Sequence, residues 1–411
     1  MVSKKNIFDM LKLNVIAVIN GIIGGLAGGC FAQLISFVTE VRMSATWLIF
    51  LLPVGGIITV WLYSVTNMNN YSGTNDMIRY MEKGYRIRPV IAPLIFISSL
   101  ISHFLGASSG REGAAIQLGG AGASGIADIF HLRNDKRKVV ILSGMSAVFA
   151  GVFCTPLTAA AFILEFRTNK KVFSLSVLPC FISSVIAAMV SEFIGTAEET
   201  AVCSVPAAVS FVVIVKLAAL VVAVSILGFV MCFVFHNAAH LSKKILKNSY
   251  IRIVAGAAVM IALTFAVGDM RYNGAGMDMA MKAIAGKADR YDFLLKMLFT
   301  AVTLAAGFKG GEIVPTFCIG ATFGCVFGGL MGLDAGFAAV LGLVCLFCCV
   351  TASPLGAVLL SFELFGITIL PYSIPACLLA WLLSGKEGLF VGRFFASPVF
   401  GRIRFKKEKA K

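Results

Sequence analysis

Apolar runs recur along this chain, at 15–38, 47–65, 208–235, 253–267 and 337–350. Several approach or exceed the roughly 20 residues that carry a helix across a bilayer. Only 13% of the 411 residues are charged and 59% are hydrophobic, with a mean hydropathy of +0.92. A soluble protein of ordinary composition carries about 25% charged residues. The chain is therefore expected to be an all-α, polytopic membrane protein. Its first apolar run, from about Leu13, is too long for a signal peptide and lacks a clear cleavage site, so it reads as the first membrane helix.

Charge is left to the connections. The net charge of +15 is carried by short clusters between apolar runs: Lys4-Lys5, 133–137, 167–171, 243–247 and 406–411. Such clusters favour the cytoplasmic side of a membrane, so both termini are expected inside a cell (inner) membrane. The linker 191–200 holds three Glu and no Lys or Arg, which suits the outer face. This pattern belongs to membrane topology, and no nucleic-acid partner is expected. The eleven Cys lie almost all in apolar runs, as inert buried thiols do. His236 and His240 are spaced for a metal on one helix face, but no carboxylate is near them in sequence. No nucleophile–base pair, phosphate loop or metal constellation is present, so neither an enzyme nor a cofactor is expected.

One polar stretch interrupts the apolar background: Ser109-Gly110-Arg111-Glu112-Gly113-Ala114. Ionisable groups at membrane depth are expensive and mark ion or proton pathways. The segment reads as the start of a helix, whose unpaired N–H groups and partial positive charge form a natural anion site. Glu112 would place a carboxylate where an anion should sit. A helix-capping Glu with Arg111 as its surface partner is the plainer reading, and the apolar flanks argue against it.

The chain repeats itself. Ser72-Gly73-Thr74-Asn75-Asp76-Met77 is answered by Ala275-Gly276-Met277-Asp278-Met279. Glu112 is matched with Glu312, and Gly120 with Gly320. Thr155-Pro156-Leu157 with Glu165 is answered by Ser353-Pro354-Leu355 with Glu363, the Glu lying nine residues after the Pro in both. Three matches in order point to duplication, with a first membrane repeat at 1–200 and a second, inverted one at 201–411. Inverted repeats with broken helices hold their substrate at the midplane between the halves. Most other glycines, such as Gly21, Gly24, Gly25, Gly28 and Gly29, are expected to serve helix packing.

These motifs carry a family resemblance. GREGA at 110–114 resembles the GREGP signature of the CLC chloride channels and transporters, and SGTN at 72–75 a diverged form of their GSGIP. GGEIVP at 310–315 is similar to their GxFxP, and TPLTAAAFILEF at 155–166 to their PLAG…LEE segment. The resemblance covers nearly the whole chain. It implies an inverted-repeat CLC-type fold with broken helices, and a homodimer in the lipid bilayer with a pore in each subunit. It implies that Glu112 is the gating, proton-carrying glutamate. The anion-binding set it implies comprises Ser72, Gly73, Thr74, Asn75 and Met77; Gly110, Arg111 and Gly113; Ile313 and Val314; and Phe390.

The departures from the family pattern are specific. The prolines of the first two signatures are replaced by Asn75 and Ala114, Phe390 stands where a pore tyrosine is expected, and Phe166 replaces the internal glutamate of chloride/proton exchangers. Glu165 is then structural. These changes, and GFKGGEIVP at 307–315, resemble the fluoride-exporting clade of the family. The resemblance implies proton-coupled fluoride export. A passive chloride channel and a chloride/proton antiporter of the same fold are the alternatives, with a membrane enzyme or scaffold as readings from other classes. Phe390 and Phe317 offer ring edges to an anion, against plain packing.

Overall fold

The computed structural model describes residues 4–69, 71, 73–83, 87–166, 170–196, 200–201, 205, 210–384 and 388–389. Ser72 and Phe390, both in the expected anion set, lie outside the described residues. Eight helices precede the linker: α1 (Lys4–Ser44), α2 (Leu52–Val65), α3 (Thr74–Lys83), α4 (Ile91–Phe104), α5 (Glu112–Ile129), α6 (Asn134–Phe153), α7 (Pro156–Leu164) and α8 (Lys170–Phe193). Eight follow it: α9 (Phe211–Ile245), α10 (Ser249–Val267), α11 (Met277–Ile284), α12 (Asp292–Ala306), α13 (Ile313–Leu330), α14 (Ala335–Thr351), α15 (Pro354–Phe365) and α16 (Leu370–Leu383). Short 3₁₀ turns, Thr46–Leu51 and Ile367–Ile369, lead into α2 and α16.

By length and apolar composition, six stretches among the described residues are able to cross a membrane: Phe8–Ser44, Thr46–Val65, Lys171–Phe193, Phe211–Ile245, Ser249–Val267 and Ile313–Leu330. Their outer faces expose Trp47, Trp61, Phe211, Ile226 and Phe265, as surfaces solvated by lipid do. The run at 337–350 behaves differently. It forms α14, and every residue from Gly336 to Thr351 is buried, so protein surrounds it on all sides. Its counterpart α6 is buried from Val139 to Val152. Hydropathy alone does not separate a helix wrapped in lipid from one wrapped in protein.

The glycines of α1 act as expected. A Cβ at Gly24 or Gly28 would lie 2.6 Å from Ala147 or 2.8 Å from Val148, both on α6. At Gly21, Gly25 and Gly29 it would meet Ile186, Ala187 and Ser191 of α8 at 2.6–2.8 Å. The two glycine rows thus let α1 approach two helices at backbone distance, the device that replaces the hydrophobic effect inside lipid.

The halves lock together at α7 and α15. Each helix starts with proline after the same turn: Cys154 and Ala352 are left-handed, with φ 54° and 50°. Thr155 follows at φ −116°, ψ 78° and Ser353 at φ −120°, ψ 78°. Nine residues on, about 13 Å along the axis, Glu165 and Glu363 stand at the far ends of these helices. Glu363 accepts the N–H groups of Leu157 and Thr158 at 2.7 and 2.8 Å, while Glu165 accepts those of Leu355 and Gly356 at 2.9 and 3.3 Å. Each half therefore caps the other's broken helix with a carboxylate held by the positive end of the helix dipole. Hydrogen bonds to a charged group contribute about 1.5–3 kcal/mol each. The conserved spacing in the two halves is explained by this exchange, and Glu165 takes the structural part expected of it.

Candidate anion site at converging helix termini

The loops before α5 and α13 meet as a single antiparallel bridge. Gly110 donates to the Gly311 carbonyl at 2.7 Å and Gly311 to the Gly110 carbonyl at 2.6 Å. The residues that cap the two helices share one backbone geometry: Arg111 has φ −106°, ψ −13° and Glu312 has φ −108°, ψ −14°. Arg111 and Glu312 are thus equivalent positions, and the counterpart of Glu112 is Ile313. The sequence matching of Glu112 with Glu312 is displaced by one residue. The glycines of the bridge set the register, and a glutamate happens to fall beside each.

Glu112, the first residue of α5, is fully buried. Its Oε1 accepts the N–H of Val314, in the first turn of α13, at 2.8 Å. A carboxylate from one half therefore occupies the N-terminus of a helix from the other, where unpaired N–H groups receive an anion. Its Oε2 has no hydrogen-bond partner among the described residues. The space for the carboxylate exists because both neighbours are glycine: a Cβ on Gly110 would strike both its oxygens, and one on Gly311 would lie 2.6 Å from Oε1.

A third helix closes on the same point. Thr74 begins α3, and its hydroxyl donates to the Gly113 carbonyl at 3.4 Å. Gln117, which sequence reading passed over, donates from Nε2 to Thr74 Oγ1 at 3.3 Å and to the Gly113 carbonyl at 2.9 Å. It ties the start of α3 to the first turn of α5. Its sequence signal was a lone amide in a segment of small and apolar residues. Gly73 has φ +91°, a conformation glycine adopts without strain.

The remaining residues singled out in the sequence make the following contacts. Met77 is fully buried, with its sulfur packed toward Gly120 of α5, so it fills the space between two helices. Asn75 directs its amide to the Leu389 carbonyl at 3.3 Å, which brings the segment leading to Phe390 beside α3. Arg111 lays its guanidinium over the Phe153 ring, 5.3 Å from the centroid. Phe317 stands edge-on to Phe347 at 5.4 Å, an aromatic packing contact. Phe166, in place of an internal glutamate, meets Phe162 edge-on at 5.5 Å, and Phe162 in turn packs on Phe149 and Phe347. His236 bonds the Cys232 carbonyl on its own helix at 2.8 Å.

Lys296 was also not foreseen. It is fully buried on α12, and its ammonium donates to Ser108 Oγ at 3.0 Å and to the carbonyls of Tyr272 and Gly274 at 3.1 and 2.7 Å. These bonds join the loop before α5 to the loop before α11. Glu312 is half-buried, and its carboxylate has no hydrogen bond or ion pair among the described residues.

Fold and site together define a multi-pass membrane protein of two inverted halves, with broken helices aimed at one buried carboxylate. A sequence profile described as voltage gated chloride channel matches residues 54–385. The chloride/fluoride channel protein of Pseudomonas syringae pv. tomato is 31% identical over 376 residues, covering 90% of this chain and 83% of that one. The crystal structure of a CLC-type fluoride/proton antiporter matches with a TM-score of 0.90 at 25% identity, over 95% of this chain and 99% of that one. A slow cyanobacterial Cl−/H+ antiporter shares the fold, with a TM-score of 0.75 at 17% identity, over 90% and 94% of the two chains. The chain belongs to the voltage gated chloride channel family, the CLC proteins, and lies near that family's fluoride clade.

Proposed function

We propose that this protein exports fluoride in exchange for protons, with Glu112 as the gate of a pore contained in each subunit. The observation that carries this reading is the Glu112 carboxylate on the Val314 N–H. An ionised carboxylate there competes with the transported anion for the same donors. Protonation removes its charge, and the neutral group no longer has a reason to hold the helix terminus, so it leaves with its proton while an anion enters. Helix-terminal N–H groups at fixed spacing suit a small, strongly hydrated anion, because donors must replace its hydration shell. Names carried by the relatives support fluoride as the ion.

The test is flux from liposomes loaded with one halide, with proton movement recorded. Fluoride efflux several times faster than chloride efflux, with matching proton uptake, is the expected result. Equal efflux of both halides without proton uptake indicates a passive chloride channel.

Neither a cofactor nor an enzymatic reaction belongs to this reading. In this reading the two repeats divide the chain at 1–200 and 201–411 and both termini are cytoplasmic, the side that basic clusters favour. The apolar face formed by Leu178, Val185 and Met189 of α8 with Leu355, Ile374 and Leu378 of α15 and α16 is the surface for a second copy. It draws on both halves. Light scattering in mild detergent should give twice the chain mass, and a fully active monomer removes the dimer.

A further inference from the structure

Two lysines are associated with the loops that lead into α5 and α13, and the two are held differently. Lys296, fully buried, is surrounded by three oxygen acceptors, one of them Ser108 in the loop before α5. The bridge register makes Lys309 the counterpart of Ser108 in the other half. Lys309 lies two residues before Gly311, a separation of at most about 7 Å along the chain, and three before Glu312. Its ammonium has no hydrogen-bond acceptor and no carboxylate within 4.0 Å among the described residues. It rests on the Tyr63 ring of α2, 4.3 Å from the centroid, and the side chain is half-buried. A cation on an aromatic face gains about 0.5–2 kcal/mol, a contact that an anion can displace.

The surroundings are electropositive. Lys243 of α9 and Arg252 of α10 lie within electrostatic reach of Lys309, and Asp76 is the carboxylate within that reach. Asp76 is itself paired with Arg79 at 3.5 Å. Arg252 gives its guanidinium to the Leu246 carbonyl and Ser249 Oγ, and has no carboxylate within 4.0 Å among the described residues. Lys243 and Arg252 thus add positive potential at Lys309.

We propose that Lys309 captures the anion on its way to the site, leaving the Tyr63 ring to pair with an incoming halide and passing it to the N-terminus of α13. The proposal rests on the transport reading given above and assigns the residue through which the anion enters. In liposomes, Lys309→Met should raise the half-saturating fluoride concentration about tenfold, the scale of electrostatic focusing by a charged mouth. The maximal rate should stay within about twofold, and Lys309→Arg should resemble the parent. The half-saturating concentration of Lys309→Met should also respond less to added gluconate salt, a change that a merely structural lysine would not produce. A second measurement needs no variant: fluoride, but not gluconate, should slow acylation of Lys309 in the intact protein, read by mass spectrometry. Half-saturation and salt response unchanged in Lys309→Met, or acylation indifferent to fluoride, overturns the proposal. A parent protein that moves neither halide overturns the transport reading instead, and the acylation assay still decides whether Lys309 binds the anion.

Discussion

Glu112→Gln is expected to abolish proton movement while anion flux continues. The amide keeps an oxygen that can accept the Val314 N–H, so the packing around the first turn of α5 survives. What is lost is ionisation. The amide bears no negative charge to compete with a halide and takes up no proton at neutral pH. Proton uptake driven by a halide gradient should fall by at least about 100-fold, the lower end of what loss of a proton-transferring group removes. Halide efflux should persist without it. The measurement is paired recording of halide and pH in the same vesicles. Proton-coupled exchange at the parental rate in Glu112→Gln would show that the proton travels by another group.

Gly311→Ala should be nearly as damaging, by geometry alone. The new Cβ would lie 2.6 Å from the Gly113 nitrogen and 2.6 Å from Glu112 Oε1. The first of these is backbone, which has no rotamer to relieve the clash. Either the bridge to Gly110 opens or Glu112 leaves the start of α13. A misplacement of about 1 Å at a reacting centre reduces rates about 100-fold, and that is the loss expected in exchange. Gly329→Ala is the control. It lies near the far end of α13, the helix that follows the bridge, with nothing within 4 Å of its Cβ position, and should leave exchange intact. Both variants should elute from size exclusion as the parent does. Parental activity in Gly311→Ala would mean that the bridge does not position the gate.

Features written in contiguous sequence were legible before the fold was known. The apolar runs, the basic clusters, the Glu nine residues after each Pro and the polar stretch at Glu112 all follow from local composition and spacing. Features that depend on how the halves meet were not. The one-residue displacement that equates Arg111 with Glu312 is set by the pairing of Gly110 with Gly311, a contact between distant segments. Gln117 gains its part only when α3 reaches α5, and Lys296 only when two loops supply its acceptors. Met77 sits one turn into α3, and its sulfur packs toward Gly120 of α5, a contact that only the meeting of the two helices supplies.

The pairing of Arg111 with Glu312 has a kinetic consequence. Net exchange in any coupled carrier follows the gradients of its ions, whatever the carrier's shape. Speed is a separate matter. A duplicated protein with two identical ends would bind and release its ion equally well at both, and would run as fast backward as forward. Here equivalent positions bear a cation in one half and a carboxylate in the other. On the transport reading proposed above, the barriers met on entering from the two faces should therefore be unequal, and the carrier should rectify. Molecules reconstituted in opposite orientations would reach the same final ion distribution, but at different rates.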